Sequence, residues 1–261
     1  MRIVRMVALA AVALGSTALA VEKPSWADAM RRVGAGAGGG PCYVAQFGDS
    51  ITYSMAFWAP LGWADPGLYI PNDGLPKNPV DRRWRDAIQG CRDKGAEFGN
   101  FSGWRVTNLL GVVERVLEGH RPRAAILMIG TNDIQGNIVP PTYRGHLERI
   151  VKTCLDARCI PILNTIPPRR DCMKAVEGIN KIIKEVAAKF NVPLVDYCAE
   201  ILRLQPGDAC FGTLISEDGV HPTAGRTQDY SAGNLKTSGY ALRNWLNFMM
   251  FRQVYFTVFA R

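Results

Sequence analysis

Histidine is scarce in this chain: among 261 residues there are three, His120, His146 and His221. No Cys-x-x-C pair lies near any of them, so a zinc or dithiol centre has little to be built from, and neither a metal nor a cofactor is expected. The Gly-x-Ser-x-Gly signature is absent, which argues against the nucleophile elbow of the α/β-hydrolases. Beyond the first twenty residues, no apolar run approaches the roughly 18 residues of a membrane-spanning helix. Nor is charge concentrated. Arg31-Arg32, Arg82-Arg83, Arg121, Arg123 and Arg169-Arg170 are scattered, without a basic helix or an aromatic-interleaved stripe, so no nucleic-acid partner is expected.

Residues 1–20 stand apart. Arg2 and Arg5 precede an apolar run from Met6 to Leu14, and Ala18-Leu19-Ala20 supplies small residues for cleavage after Ala20. That is the pattern of a secretory signal peptide, so the mature protein is expected to be secreted or periplasmic, without stable membrane insertion. Losing two arginines lowers the formal charge from +8 to +6. All seven cysteines follow this segment, and an oxidising compartment permits disulfides. Cys198 and Cys210, which bracket a loop, are the preferred pair; Cys154 and Cys159, flanking a turn, come second. Cys42, Cys91 and Cys172 complete an odd set.

Residues 21–41 include Gly34 to Gly40, all Gly and Ala, and read as a mobile leader. From residue 42 to 261 the chain reads as one domain. Five apolar segments alternate with helical patterns: Cys42–Phe47, Ala96–Gly103, Ala124–Ile129, Cys159–Thr165 and Val192–Tyr197. Helices are expected over Asp81–Arg92, from Val106 to Val116, and over Thr142–Ala157, Ala175–Phe190 and Thr237–Phe251. Such alternation predicts an α/β fold, a five-stranded parallel sheet covered on both faces. The apolar tail Val254–Ala260 is expected to pack against the sheet edge.

The first of these strands stops at Gly48-Asp49-Ser50, which delivers a hydroxyl to the carboxyl end of the sheet, where open α/β folds bind ligands. The simpler alternative is a turn in which Ser50 caps the next helix. A serine becomes a nucleophile only with a base to take its proton and donors to hold the oxyanion. His120 belongs at the opposite edge, and His146 sits mid-helix. His221 follows the last strand on the side of Ser50, with Asp218 three residues earlier to orient its ring.

Phe47-Gly48-Asp49-Ser50-Ile51-Thr52, Gly103, Gly130-Thr131-Asn132-Asp133 and Asp218-Gly219-Val220-His221-Pro222 stand in the order of the four blocks of the SGNH (GDSL-type) hydrolases, which the chain resembles from about residue 42 to 250. The resemblance implies a flavodoxin-like three-layer α/β/α sandwich and hydrolysis of carboxylic esters without a cofactor. It implies Ser50 as nucleophile, His221 as general base and Asp218 as its orienting carboxylate. The oxyanion hole would comprise the Ser50 and Gly103 backbone N–H groups and the Asn132 side-chain amide. One departure is the insertion Ala224–Lys236, where the family runs almost directly into its last helix.

Export and the proline-rich stretch 53–80, with Trp58, Trp63 and Tyr69, suit deacetylation of a carbohydrate, each aromatic offering a flat face to a sugar ring. The same aromatics could instead staple the loop to the domain. A lipase or lysophospholipase, or a non-catalytic carbohydrate-binding protein on the same fold, are the other readings.

Overall fold

The computed structural model describes residues 24–35, 43–64, 66–70, 87, 93–136 and 140–259. The signal segment, Cys42, Cys91 and, apart from Ala87, the helix expected over Asp81–Arg92 lie outside the described residues.

In chain order come α1 (Ala27–Gly34), β1 (Val44–Gly48), α2 (Ser50–Tyr53), α3 (Val106–Leu110), α4 (Val113–His120), β2 (Ala124–Met128) and α5 (Thr131–Gln135). There follow α6 (Pro140–Asp156), β3 (Ile160–Asn164), α7 (Met173–Phe190), β4 (Leu194–Val195), α8 (Tyr197–Leu204) and α9 (Gly239–Val254). The strands pair in parallel in the order β1-β2-β3-β4. Every residue of β1, β2 and β3 is buried, as strands covered on both faces must be, giving the expected α/β/α layers.

The sheet has four strands among the described residues, where the sequence pattern suggests five. The segment 96–103 forms a 3-10 turn, Ala96–Phe98, and touches the sheet through a single parallel bridge between Asn100 and Gly48. Glycine explains the shortfall. Gly95, Gly99 and Gly103 all take positive φ, which no extended strand can continue. The Asn100 amide instead donates to the Gln46 carbonyl at 2.8 Å, a side chain standing in for a ladder bond. This bridge sits at the outer edge of β1, where a flavodoxin-like order places its second strand.

Helix α1 and the segment Tyr255–Phe259 pack together. Residues 24–35 are no free leader: Trp26, Ala27 and Met30 are buried on one stripe of α1. The tail turns through a π-helical segment, Tyr255–Phe259, which packs on α1, and the Phe259 ring centroid lies 4.9 Å from the Arg123 guanidinium at the entry to β2. Arg31 Nε donates to the Thr257 carbonyl at 3.0 Å. Burying Tyr255 and Phe259 against α1 removes aromatic surface that a lone tail would expose.

The closing helix α9 is apolar on most of its surface but buries a polar row that reaches toward the start of α2. Arg243 Nη1 donates to the Ile51 carbonyl at 2.8 Å and Nη2 to Thr52 Oγ1 at 2.9 Å. Its guanidinium lies 3.6 Å from the centroid of Phe57. Asn244 accepts from the Trp58 N–H at 2.8 Å and donates to the Ala56 carbonyl at 3.0 Å. Main-chain groups after the Gly48–Ser50 turn are thereby satisfied by side chains of one helix.

Candidate active site

Ser50 opens α2 directly after β1. Asp49 caps that helix, its Oδ1 accepting the Ile51 N–H at 3.0 Å, so the serine is held at the tip of a strand–helix junction. Its Oγ lies 2.9 Å from His221 Nε2. The opposite ring nitrogen, Nδ1, meets Asp218 Oδ2 at 2.6 Å. With Nδ1–H donated to the carboxylate, Nε2 is left to accept the Ser50 proton. The structure thus brings Ser50, Asp218 and His221 into one hydrogen-bonded chain.

The loop bearing Asp218 and His221 is locked by its own polar groups. Asp218 Oδ1 accepts from Ser216 Oγ at 2.8 Å, the Val220 N–H at 2.9 Å and the His221 N–H at 3.0 Å. The Ser216 N–H donates to the His221 carbonyl at 2.8 Å, and its hydroxyl, with one proton, shares it between that carbonyl, 2.7 Å away, and Asp218 Oδ1. Partial burial pushes the Asp218 carboxyl up, but the Val220 N–H, the His221 ring and N–H, and the Ser216 hydroxyl outweigh it and hold the group well below the usual carboxylate range. Side chains of His221 and Asp218 are 42% and 49% exposed, so the pair faces an open surface.

Gly103 takes φ +79, and a Cβ there would meet nothing within 4 Å. Glycine is required by the backbone conformation, and the space above it is open to a substrate. Asn132 Nδ2 donates to the Trp104 carbonyl at 3.0 Å, and the amide carries a second N–H. The neighbouring Asp133 accepts the Val106 N–H with both oxygens, at 3.2 and 3.1 Å. Two consecutive residues of α5 therefore hold the 103–106 turn against β2. Burial pushes the carboxyls of Asp49 and Asp133 up to about 6, against the opposing pull of the N–H groups of Ile51 and Val106. Asp49 Oδ2 is buried without a hydrogen-bond partner among the described residues.

The three loop aromatics do not form a common wall. Trp58 is fully buried, with Nε1 donating to the Ala87 carbonyl at 3.3 Å, and offers no face to a ligand. An indole among apolar residues gains more from burial than from display, and Phe57, Phe251 and Asn244 supply its niche. Tyr69 leans edge-on against Tyr230 of the 224–236 insertion, ring centroids 5.8 Å apart, joining the two irregular segments. Trp63 remains about half exposed.

A different set of aromatics borders the site. Tyr53 ends the helix that Ser50 begins, and the Phe101 N–H bonds the Gly48 carbonyl at 3.2 Å, two residues before Ser50. Tyr53 and Phe101 rings lie 5.3 Å apart, and those of Phe101 and Trp104 6.2 Å apart, tilted by 49° and 44°. Tyr53 and Phe101 are 37% and 44% exposed. The sequence signal was available: Phe101 and Trp104 flank Gly103, and Tyr53 is one helical turn from Ser50.

The expected disulfides are not formed. Cys198 and Cys210 are both thiols, and burial pushes the Cys198 thiol up to about 12, with the Asn180 amide as its polar neighbour. Cys154 is likewise a thiol; the bond joining it to Cys159 runs from the Cys159 N–H to the Cys154 carbonyl at 2.8 Å and closes the end of α6. His120 is exposed, within 3.2 Å of the Glu97 carbonyl, and His146 lies partly buried on α6; neither reaches Ser50. Among the described residues, no group of three His, Cys, Asp or Glu side chains could hold a metal ion, and no helix is long and apolar enough to cross a membrane.

The sequence matches the GDSL-like lipase/acylhydrolase family over residues 47–225. No curated protein gives a sequence match. Among solved structures, a lipase/acylhydrolase from Enterococcus faecalis superposes with a TM-score of 0.55 at 21% identity, covering 80% of this chain and 96% of that one. A psychrotrophic esterase from Pseudoalteromonas sp. gives 0.53 at 13% identity, over 81% and 97% of the two chains. A member of the lipolytic G-D-S-L family from Veillonella parvula gives 0.55 at 17%, over 80% and 98%. At these identities the structures establish a shared fold.

Proposed function

The chain belongs to the GDSL-like lipase/acylhydrolase family, the SGNH hydrolases its four blocks resemble, and on that premise we propose that it is an exported serine esterase that deacetylates a carbohydrate. The observation that carries the mechanism is the unbroken chain from Ser50 Oγ through the His221 ring to Asp218, with links of 2.9 and 2.6 Å. His221 Nε2 takes the Ser50 proton as Oγ attacks the ester carbonyl. The oxyanion that forms is met by the N–H groups of Ser50 and Gly103 and by the second N–H of Asn132. The protonated ring then gives its proton to the leaving alkoxide, and an acyl-enzyme remains. Water, activated by the same Nε2, releases the acid and restores Ser50.

Two features support a bulky, polar alcohol such as a sugar. The side chains of His221 and Asp218 are 42% and 49% exposed, which leaves room for a large leaving group among the described residues. The neighbouring Tyr53, Phe101 and Trp104 rings, the first two exposed, offer apolar surface with polar groups at Tyr53 and Trp104. A pyranose has one C–H face and needs one such surface, whereas an acyl chain gains most when surrounded on all sides. A lipid substrate is the second reading, favoured by the exposed Met55, Trp63 and Leu68, the last 77% exposed.

The test is turnover of p-nitrophenyl acetate, p-nitrophenyl octanoate and an acetylated oligosaccharide by the wild-type protein and by Ser50→Ala. We expect acetate release from the oligosaccharide and a loss on the order of 10³-fold or more in Ser50→Ala. Preference for octanoate would favour the lipid reading, and near-wild-type rates in Ser50→Ala would remove the serine from the mechanism. Sugar binding without turnover would instead mark a carbohydrate-binding protein. Export is tested by secretion of a fusion that keeps residues 1–20 against one that lacks them.

A further inference from the structure

Two consecutive arginines, Arg169 and Arg170, lie between the oxyanion side of the site and its acid–base side. They occupy the turn after Pro167-Pro168, between β3 and α7. The partly buried Arg169 reaches one way: Nη1 donates to the Thr131 carbonyl at 2.6 Å, and Nη2 to Gln135 Oε1 at 3.4 Å. Thr131 and Gln135 are the first and last residues of α5, the one-turn helix that carries Asn132. A five-residue helix has almost no internal ladder to hold its own direction, so the planar guanidinium, bound at both ends, fixes it as a rigid fork.

Arg170 reaches the other way. Its main-chain N–H bonds the Gly219 carbonyl at 2.9 Å. Its side chain covers Gly219, where an added Cβ would stand 2.6 Å from Arg170 Cβ, and its guanidinium lies 5.0 Å from the Phe211 ring centroid. A 3.6 Å contact with Glu217 Oε2 completes the contact with the loop. Gly219 stands between Asp218 and His221, at φ +70. The Asn132 amide on α5 and the Asp218–His221 pair on its loop are thus referenced to one dipeptide.

We propose that Arg169 and Arg170 are positioning residues: a strap that sets the Asn132 amide at a fixed distance from the His221 ring, Arg169 acting through Asn132 and Arg170 through the 218–221 loop. Neither needs to touch substrate. A donor misplaced by about 1 Å loses on the order of 10² in rate, so the strap affects kcat while binding is left alone. This rests on the serine-esterase reading, which the comparison of wild type with Ser50→Ala tests separately.

The experiment is a double-mutant cycle on p-nitrophenyl acetate hydrolysis with Arg169→Met and Asn132→Ala, singly and together, with Arg169→Lys as a milder variant and thermal midpoints for all. We expect Arg169→Met to lower kcat by about 10- to 100-fold at near-constant KM, and Arg169→Lys, which keeps one donor for Thr131, to recover part of it. In the Asn132→Ala background the same substitutions should cost less than about threefold, because the group they position is gone. Losses that multiply in full across the cycle would overturn the strap and leave Arg169 with a general stabilising role. So would an unchanged kcat in Arg169→Met, or, if that variant fails to fold, in Arg169→Lys. A wild type without esterase activity would sink the enzymatic reading and the strap with it.

Discussion

Asp218 holds His221 twice: Oδ2 meets the ring at Nδ1, 2.6 Å away, and Oδ1 accepts that residue's own backbone N–H at 3.0 Å. One carboxylate thus fixes both the tautomer and the main chain that carries the ring. Asp218→Asn keeps a carbonyl for the main-chain bond but turns the ring's partner into a donor. We expect kcat to fall by about 10²- to 10⁴-fold, against a larger loss for His221→Ala, which removes the base itself. Equal kcat for Asp218→Asn and wild type, measured on p-nitrophenyl acetate, would reduce the site to a Ser50–His221 dyad.

Asn132 is held by the Trp104 carbonyl at 3.0 Å and can offer its second N–H to a developing oxyanion. Asn132→Ala should lower kcat by roughly 10²- to 10³-fold with little change in KM. A rise in KM alone would make the residue a uniform substrate-binding group instead.

Asp49 is fully buried, and that burial raises its carboxyl from 3.8 to about 6, opposed by the Ile51 N–H, Arg243 and His221 and reinforced by Asp133. Between about pH 4 and 6 the native protein therefore binds more protons than the unfolded chain, and this group's contribution to stability is lost as pH rises through that window. Asp49→Asn keeps the acceptor for Ile51 and removes the titration. Relative to wild type, its stability should improve by on the order of 2–3 kcal/mol between pH 4 and 7. Urea unfolding of both proteins at several pH values reads this directly; a constant difference would mean that Asp49 is ionised throughout.

The aromatics divide into two groups with different expected signatures. Phe101→Ala or Trp104→Ala should reduce kcat/KM on an acetylated oligosaccharide by about 10-fold, the loss of one stacking surface, while p-nitrophenyl acetate turnover changes little. Equal losses on both substrates would make these rings part of the Gly103 turn and not a sugar platform.

Trp58→Ala should behave in the opposite way. The ring is wholly buried against Phe57 and Phe251, so its removal should cost about 3–5 kcal/mol of stability and affect both substrates alike in the fraction that remains folded. Selective loss of oligosaccharide turnover at unchanged stability would return Trp58 to the binding surface.

Several features were legible in the sequence because they depend on local order along the chain. Continuous apolar runs specify buried parallel strands whatever surrounds them, so the segments at 44–48, 124–128 and 160–164 could be read directly. The polar clusters that end the first two runs, and the Asp-x-x-His block beyond the last strand, marked Ser50, Asn132, Asp218 and His221 as candidates, and the fold joins Ser50, His221 and Asp218 by hydrogen bonds. What the tertiary structure decided depends on which surfaces meet. The glycines at 95, 99 and 103 reduced an apolar segment to a single bridge, since positive φ overrides hydrophobic pattern. Trp58 went inside and Phe101 stayed outside although both are aromatic loop residues, because only the former found a niche between Phe57 and Phe251. Residues 24–35 and the segment 255–259 pack on each other, a pairing of residues more than two hundred positions apart that no local pattern contains. Arg169 and Arg170 carried no motif at all; their place between α5 and the 218–221 loop exists only once β3 delivers them to the same edge as Asn132 and His221.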